Sequence, residues 1–414
     1  MDFREKVTSM KDIKEVKTIV LGWNYSTSLG VIRSLGMAGY NVDLYFIAIH
    51  KGQSRITASS KYLRLVTEHI GRDDENIINE LEHLYANETV PCILLPSDDY
   101  TSSLIDRYYN RLTKHFLMPY VGEGEQGAIT KLMDKSVQTD IASSFGIKTI
   151  KYKKVYLPES AEIIIPQGIT YPCFVKPLVS LDGRKVEMGK CENEGELKNQ
   201  LEKMRARWSN RTLIIQDFID IDEEFSISGL CLNQTVILPA LLKRLYVGKH
   251  ERGVTIVGQL VPLEDYISFT NQLIELLKSI HYTGLFCMDL VRSRDNIYFS
   301  EINFRSAGSL YGFVKAGANL PSILVKHLLG NHWDAEEAKV TYGKTFFYDK
   351  VGWEDLMYGF CSYKEFKHYL KSSDYTFMRD VDDPKPGNIL YKQMCKKYMK
   401  MRLKSLLRRI LFMC

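Results

Sequence analysis

Two apolar segments of high β propensity, residues 284–290 and 300–305, most constrain how this chain folds. A turn signal separates them, so they predict a β-hairpin. Asp289 lies on the first strand, and Glu301 and Asn303 lie on the second. Residues two apart on a strand point to the same face, so Glu301 and Asn303 aim in the same direction. Three oxygen donors of this kind suit Mg²⁺, which completes its coordination with water and phosphates.

The composition is that of an ordinary globular protein. Of the 414 residues, 45% are hydrophobic and 25% are charged, and this length allows two to four domains. The longest apolar runs fall far short of the ~20 residues that a bilayer-spanning helix needs. The eight cysteines form no Cys-x-x-Cys pair, which argues against a zinc site and favours reduced thiols in the cytoplasm. The N-terminus mixes both signs of charge, so we expect no signal peptide.

The positive charge is concentrated at the C-terminus, where residues 384–414 hold nine Lys/Arg and no Asp/Glu. Without those nine charges the net charge of +5 becomes −4, so we expect no nucleic-acid binding by the body. Lys396, Lys400, Lys404 and Arg408 recur every four residues and predict a basic amphipathic helix. Packing of this helix on the body is the favoured interpretation. The alternative is contact with an anionic membrane surface or an acidic partner.

The start of the chain has the pattern of a parallel sheet. Residues 17–47 show a strand, a helix and a second strand in succession. Residues 91–96 form another buried-type strand, and residues 97–99 (Ser-Asp-Asp) follow it, at the carboxyl edge where such sheets bind ligands. We therefore expect a Rossmann-like domain over residues 1–124.

The middle of the chain, residues 125–330, has α+β order with several antiparallel strands. Lys135 lies at the start of a helix, Lys176 lies near the end of a strand, and the hairpin described above closes the segment. Residues 331–414 are expected to form an appendix that ends in the basic helix. The expected fold class is therefore α/β and α+β in three segments.

The order of these motifs resembles the ATP-grasp superfamily over about residues 17–330. Residues 29–36, and residues 301–305 followed by 316–321, are similar to the D-aspartate-ligase-like, carboxylate–amine ligase group. The resemblance implies a Rossmann-like pre-ATP-grasp domain and a two-lobed ATP-grasp domain. It also implies ATP and Mg²⁺ as cofactors, with Mn²⁺ as an alternative ion.

The resemblance implies which residues bind the nucleotide. Lys135 and Lys176 would reach the ATP phosphates, a task suited to a compact ammonium charge. The glycine-rich phosphate loop of the family is reduced here to one glycine, and Ser180 and Arg184 are the donors expected in its place. Glu224 would bind the ribose hydroxyls. The residues expected to frame adenine are Gln216, Asp217, Phe218 and Ile219.

Two of these assignments have alternatives. Asp217 taken alone is better interpreted as part of a solvated loop face, and Glu223 is the alternative ribose ligand to Glu224.

Arg305 would contact the transferred phosphoryl group. Lys243 would add a second cation there, with a solvated charge as the alternative.

The expected metal ligands are Asp289, Glu301 and Asn303.

The function expected from the resemblance is an Mg²⁺/ATP-dependent carboxylate–amine ligase. The carboxylate would become an acyl phosphate, and an amine would then form the amide. One substrate is expected to be an amino acid, and an oligomer is left open. Residues 24–26, 97–99 and 306–309 are the segments expected to select the substrate. Two alternatives remain: an ATP-binding regulatory module without turnover, suggested by the reduced glycine loop, and a carboxylase or carbamoyl-phosphate-type enzyme that uses bicarbonate.

Overall fold

The computed structural model of the chain describes residues 16–179, 188–250 and 253–411, with side chains up to residue 404. Within these ranges the chain is a mixed α/β protein with one parallel sheet and two sheets that are mainly antiparallel. The predicted mixed class is therefore confirmed.

Parallel strands form the N-terminal sheet: β1 (Lys17–Gly22), β2 (Asn41–Ala48), β3 (Leu63–Ile70), β4 (Cys92–Pro96) and β5 (Phe116–Leu117). Their order is β3-β2-β1-β4-β5, that of a doubly wound sheet. The helices of this segment are α1 (Tyr25–Met37), α2 (Asp74–Tyr85), α3 (Asp99–Arg107) and α4 (Tyr109–Leu112). β1 ends at Gly22, where a Cβ atom would lie 2.0 Å from the Ser97 Oγ atom. Glycine therefore lets the carboxyl ends of β1 and β4 come together.

A smaller antiparallel sheet forms the next unit. After β6 (Tyr120–Val121), its strands are β7 (Tyr152–Leu157), β8 (Cys173–Pro177), β9 (Gly189–Cys191) and β10 (Arg211–Asp217), in the order β7-β10-β8-β9. The helices here are α5 (Ala128–Leu132), α6 (Lys135–Ser144) and α7 (Glu194–Trp208). Leu197, Leu201 and Met204 of α7 are buried with the apolar side of the sheet. Their spacing of three and four residues is that of an amphipathic helix.

The largest sheet carries the predicted hairpin. Besides β6, its strands are β11 (Glu223–Leu232), β12 (Thr235–Ile237), β13 (Leu241–Val247), β14 (Thr255–Val261), β15 (Tyr282–Ser293), β16 (Asn296–Asn303), β17 (Thr345–Phe347) and β18 (Tyr375–Thr376). The order along the main path is β16-β15-β11-β13-β14-β17-β18. In addition, β12 pairs with β11, and β6 pairs with β15. Its helices are α8 (Thr270–Ser279), α9 (Leu310–Lys315), α10 (Leu320–Leu328), α11 (Asp349–Met357), α12 (Tyr363–Ser372) and α13 (Pro384–Leu411). The hairpin prediction is confirmed by the antiparallel pairing of β15 and β16.

The C-terminal segment does not stand apart from this sheet. β17 pairs with β14, and β18 pairs with β17. Phe346 and Phe347 are fully buried in a core that also includes Leu242 and Ile256. The predicted boundary at residue 330 therefore falls within one continuous sheet, and the division into three segments stays a prediction.

A buried ion pair ties the first helix to the start of the last one. Arg33 Nε donates to Asp383 Oδ2 at 2.9 Å, and the two side chains are 0% and 1% exposed. Another guanidinium N–H donates to the Phe377 carbonyl at 2.6 Å. Asp383 also accepts hydrogen bonds from Ser60 Oγ at 2.8 Å and Lys61 N at 3.0 Å. The charge of each partner is thus compensated away from water.

The first half of α13 packs on the body. Leu390 is buried, and Tyr391 and Met394 pack against the main core. Further along, Met399 and Leu403 are 70% and 58% exposed. Among the helices of the described ranges, none combines the length and apolar character needed to cross a membrane. Contact of α13 with an anionic surface stays a prediction.

Replacing Asp383 with Ala should lower the free energy of unfolding by about 3–5 kcal/mol, because Arg33 would be left as a buried, unpaired charge. Urea unfolding followed by circular dichroism measures this. Asp382→Ala is the matched control, since Asp382 is 52% exposed and contacts Lys315 at 3.3 Å; it should cost less than about 1 kcal/mol. Equal losses in the two variants would contradict the prediction.

Candidate active site

The β15–β16 hairpin forms one wall of a cleft of about 620 Å³. Asp289 and Glu301 lie directly opposite each other on the two strands, and Cys287 lies opposite Asn303. A bulge follows Asp289, since the next paired residue on β15 is opposite Phe299. Such bulges turn side chains and are frequent beside active sites. Asp289, Glu301 and Asn303 all line the cleft, as the two-residue period predicts.

Two buried lysines face these oxygen donors. Lys135 begins α6, with Asp134 as the N-cap residue, and its Nζ atom lies 3.5 Å from Glu301 Oε2. Lys176 lies near the end of β8, opposite Ile214 of β10. Lys135 and Lys176 are 5% and 9% exposed, and both line the cleft. Lysine is rarely this buried without a partner, and Lys135 has one in Glu301; the cleft therefore holds ammonium groups beside carboxylates, an arrangement suited to a polyphosphate with its cation.

Arg244, which the sequence reasoning did not single out, is the central cation of the cleft. Its guanidinium donates to Glu224 Oε2 and to Asp289 Oδ1, both at 2.6 Å. Burial works against the charge of Arg244, but the carboxylates of Asp289 and Glu224 outweigh it and raise the arginine pKa. Arg244 therefore connects the residue predicted to bind ribose with a residue predicted to bind metal.

Lys243, the neighbour of Arg244, is not brought to the cleft. Successive residues of a strand face opposite sides, and Lys243 Nζ instead contacts Glu223 Oε1 at 2.5 Å. The same ammonium lies 5.2 Å from the centre of the Tyr266 ring. The hydrogen bond to Glu223 raises the pKa of Lys243. Only one feature of the sequence favours Arg244 over Lys243. It is the alternation of side chains along a strand, which places Glu224 on the cleft side and Glu223 on the other side.

The predicted metal ligands suit a hard cation. In the described part of the chain, no group of three His, Cys, Asp or Glu side chains is arranged to hold a metal. The predicted set instead combines the carboxylates of Asp289 and Glu301 with the amide oxygen of Asn303. This oxygen chemistry fits Mg²⁺, which usually keeps few protein ligands and takes the rest from water and phosphate.

The predicted adenine residues lie apart from the cleft lining. Gln216 and Asp217 line a second cavity of about 260 Å³. The backbone N–H of Phe218 donates to the Pro172 carbonyl at 3.0 Å, and Lys190 Nζ lies 4.3 Å from the centre of its ring. Neither Phe218 nor Ile219 is among the described residues that line the cleft, whereas the apolar side chains of Phe174, Met188 and Ile221 are. The role of residues 216–219 in holding adenine stays a prediction.

Glu224 lines the cleft, as expected. Ser180 and Arg184 lie outside the described residues.

Arg305 links the cleft to the parallel sheet. Its guanidinium donates to both oxygens of Asp99, at 3.2 and 3.4 Å, and to the Ser306 carbonyl at 3.1 Å. Burial opposes the charge of Arg305, but Asp99 more than compensates, and the arginine pKa is raised. Ser102 Oγ of α3 also donates to the Phe304 carbonyl at 2.7 Å. The end of β16 is thus attached to the carboxyl edge of the N-terminal sheet.

Part of this chain matches a known protein family. Residues 145–309 match a family model described as an ATP-grasp domain. The chain is 27% identical over 199 residues to the D-alanine–D-alanine ligase of Geobacillus thermodenitrificans, covering 45% of this chain and 54% of that ligase. It is 26% identical over 326 residues to the D-alanine–D-alanine ligase of Staphylococcus epidermidis, covering 72% and 88%. The match to the first of these relatives thus spans about half of its length.

The fold is also similar to a solved structure. The L-amino acid ligase from Bacillus licheniformis superposes with a TM-score of 0.60 at 14% sequence identity, covering 80% of this chain and 79% of that one. At this identity the likeness is one of fold.

Asp98, at the same sheet edge, should make stability depend on pH. Burial raises its pKa from 3.8 to about 6, although the backbone N–H groups of Thr101 and Trp23 act in the opposite direction. A raised pKa means that the fold favours the protonated form, so this contribution is complete below pH 3.8 and is lost as pH rises through 6. Relative to Asp98→Asn, the unchanged protein should lose about 2 kcal/mol of unfolding free energy between pH 4 and pH 7. Urea unfolding at each pH measures the difference, and a constant difference would exclude the assignment.

Proposed function

We propose that this chain, whose residues 145–309 match the ATP-grasp family model, is an Mg²⁺/ATP-dependent ligase that joins a carboxylate to an amine. The observation that supports this most directly is the content of one cleft. It combines buried cations, paired carboxylates and an amide at the edge of a parallel sheet; these residues are Lys135, Lys176, Glu224, Arg244, Asp289, Glu301, Asn303 and Arg305.

The cations of the cleft bind and orient the phosphates of ATP. Lys135 and Lys176 supply point charges, while Arg244 and Arg305 supply planar forks that match phosphate oxygens. Asp289, Glu301 and Asn303 would hold Mg²⁺, which neutralises charge on the phosphates during transfer. The nearby carboxylates already neutralise the basic side chains, so the cleft keeps its cations charged and fixed in place before ATP arrives.

The reaction needs two transfers at one centre. An oxygen of the substrate carboxylate attacks the γ-phosphorus of ATP, and the bond to the β-phosphate oxygen breaks to release ADP. The amine nitrogen then attacks the acyl carbon, phosphate leaves with the C–O bond electrons, and the nitrogen loses a proton to give the amide. Arg305 lies where the phosphoryl group would pass from the cleft to the sheet edge, and stabilises its developing charge.

Glu224 would contact the ribose hydroxyls, and the adenine ring would pack against the apolar side chains that line the cleft, Phe174, Met188 and Ile221. The chain segment 216–219 would contribute the neighbouring backbone.

The Glu301→Gln variant should lose at least about a hundredfold in turnover, because a neutral amide replaces a metal ligand worth several kcal/mol in the transition state. ADP release is measured with Mg²⁺-ATP over a grid of carboxylates and amines, and folding is checked by circular dichroism. Glu275→Gln is the matched control, since Glu275 is 59% exposed and pairs with Lys278 on α8. Full activity in the Glu301 variant would refute the metal assignment.

The same grid separates the other functions. A signal that needs both a carboxylate and an amine supports the ligase. Release of ADP that depends on bicarbonate alone supports the carboxylase-type alternative. A grid without any signal, with ATP binding shown by calorimetry, supports a binding module without turnover.

Neighbouring residues of β13 should differ sharply in their effect on catalysis. Arg244→Gln removes two charge-assisted hydrogen bonds inside the cleft and should lower kcat/KM about a hundredfold. Lys243→Gln removes a partly exposed pair outside it and should change kcat/KM less than about fivefold. The measurement is kcat/KM for ATP in both variants, with Arg244→Lys to test whether charge alone restores activity. A larger loss of kcat/KM in Lys243→Gln than in Arg244→Gln would assign the catalytic role to Lys243 instead.

A further inference from the structure

The helix α13 carries two apolar rows that lie in different surroundings. Tyr391, Met394 and Tyr398 follow one another at intervals of three and four residues, and they pack against the main core. Met399 and Leu403 lie four residues apart and are 70% and 58% exposed. At 3.6 residues per turn, the two rows are separated by about a third of a turn around the helix. One row therefore attaches α13 to the body, and the other row faces solvent.

The exposed apolar row is bordered by cations. Lys396, Lys400 and Lys404 recur every four residues, and all three are exposed. Lys396 precedes Met399 by three residues, and Lys400 precedes Leu403 by three, so basic and apolar side chains are neighbours on one side of the helix. Residues 384–414 contain nine Lys/Arg and no Asp/Glu. The helix therefore supplies no carboxylate of its own to neutralise this side.

The neighbouring helix α12 is also basic on its exposed side. Trp353 of α11 contacts both helices, because its ring centre lies 4.7 Å from that of Phe366 on α12 and 6.3 Å from that of Tyr398 on α13. Phe366 is buried, and Glu365 caps α12 by accepting from the Ser362 N–H at 2.7 Å. The exposed lysines of α12 are Lys364, Lys367 and Lys371.

The mixture of charge and apolar area distinguishes between possible partners. Cations alone would suit any polyanion. Met399 and Leu403 add apolar area that the phosphates of a nucleic acid would leave in water, whereas the boundary between lipid headgroups and acyl chains accepts both kinds of side chain. A helix with lysines beside an apolar row lies in the plane of such a boundary.

We propose that residues 396–404 of α13 bind the surface of a membrane that contains anionic phospholipids. The lysines pair with headgroup phosphates, and Met399 and Leu403 enter the apolar boundary beneath them. The row that packs on the core keeps the helix on the body, so this contact holds the whole chain at the membrane. The inference is independent of the proposed function, because none of these described residues lines the cleft.

The test is co-sedimentation of the full chain with vesicles. One set of vesicles is phosphatidylcholine alone, and the other is an equimolar mixture of phosphatidylcholine and phosphatidylglycerol. We expect binding to the mixed vesicles at low salt, little binding to phosphatidylcholine, and much weaker binding to both in about 0.5 M salt, where the charges are screened.

The contribution of charge is measured in the triple variant Lys396→Gln/Lys400→Gln/Lys404→Gln. It should bind the mixed vesicles about a hundredfold more weakly, since each cation near an anionic surface is worth about fivefold in affinity. A matched control removes three exposed lysines outside α12 and α13 and should bind within about twofold of the unchanged chain. The control substitutions are Lys114→Gln, Lys154→Gln and Lys203→Gln.

The contribution of the apolar row is measured in Met399→Ser/Leu403→Ser. This variant keeps every charge and should bind the mixed vesicles about tenfold more weakly. Circular dichroism checks that each variant folds, and the substituted side chains are exposed in the unchanged chain.

Three results would overturn the proposal. The first is absence of binding to the mixed vesicles at low salt, or an equal loss in the control variant. The second is unchanged binding in Met399→Ser/Leu403→Ser, which would favour an acidic protein or a nucleic acid as the partner. The third is a dimer in sedimentation velocity that dissociates in the same variant, which would assign the apolar row to contact between two copies of the chain.

Discussion

The register of β15 between β11 and β16 is the constraint on which the candidate site depends. Asp289 lies opposite Ser226 on one side and Glu301 on the other, so one face of the sheet gathers the acidic groups. A slip of one residue in either pairing would turn these side chains to the opposite face. That face is occupied by Phe225 and Met288, which are fully buried in the apolar core. Core packing therefore determines the register, and the register determines which side chains line the cleft.

The charges of the cleft balance one another before any ligand binds. The cleft lining holds four cations, Lys135, Lys176, Arg244 and Arg305, and four carboxylates, Asp99, Glu224, Asp289 and Glu301. Arg244 contacts Glu224 and Asp289, Lys135 contacts Glu301, and Arg305 is paired with Asp99. Buried charges of one sign would be costly, and pairing removes most of that cost. In the proposed function, the phosphates of a nucleotide would take over the basic partners, and the accompanying cation would take over the carboxylates. Pairing thus stabilises the cleft before a ligand binds.

Periodicity predicts part of this site and misses the rest for physical reasons. The two-residue period of a strand was enough to place Asp289, Glu301 and Asn303 together, because all three lie on one hairpin. It led to Lys243 and not to Arg244, since either face of β13 could meet the cleft until its pairing with β11 is known. β17 and β18 are only three and two residues long, so their addition to the sheet depends on contacts that are distant in sequence.

The pairing of Arg305 with Asp99 joins two parts of the structure at the cleft. Asp99 begins α3 on the N-terminal sheet, and Arg305 follows the last strand of the hairpin. In the proposed function, a substrate carboxylate beside Arg305 would compete with Asp99 for the guanidinium. The transfer of a phosphoryl group to that carboxylate would strengthen the competition, because the charge near the arginine increases. The pair of Arg305 and Asp99 is one of several contacts between these parts of the structure, and it is the one that the proposed reaction would have to loosen.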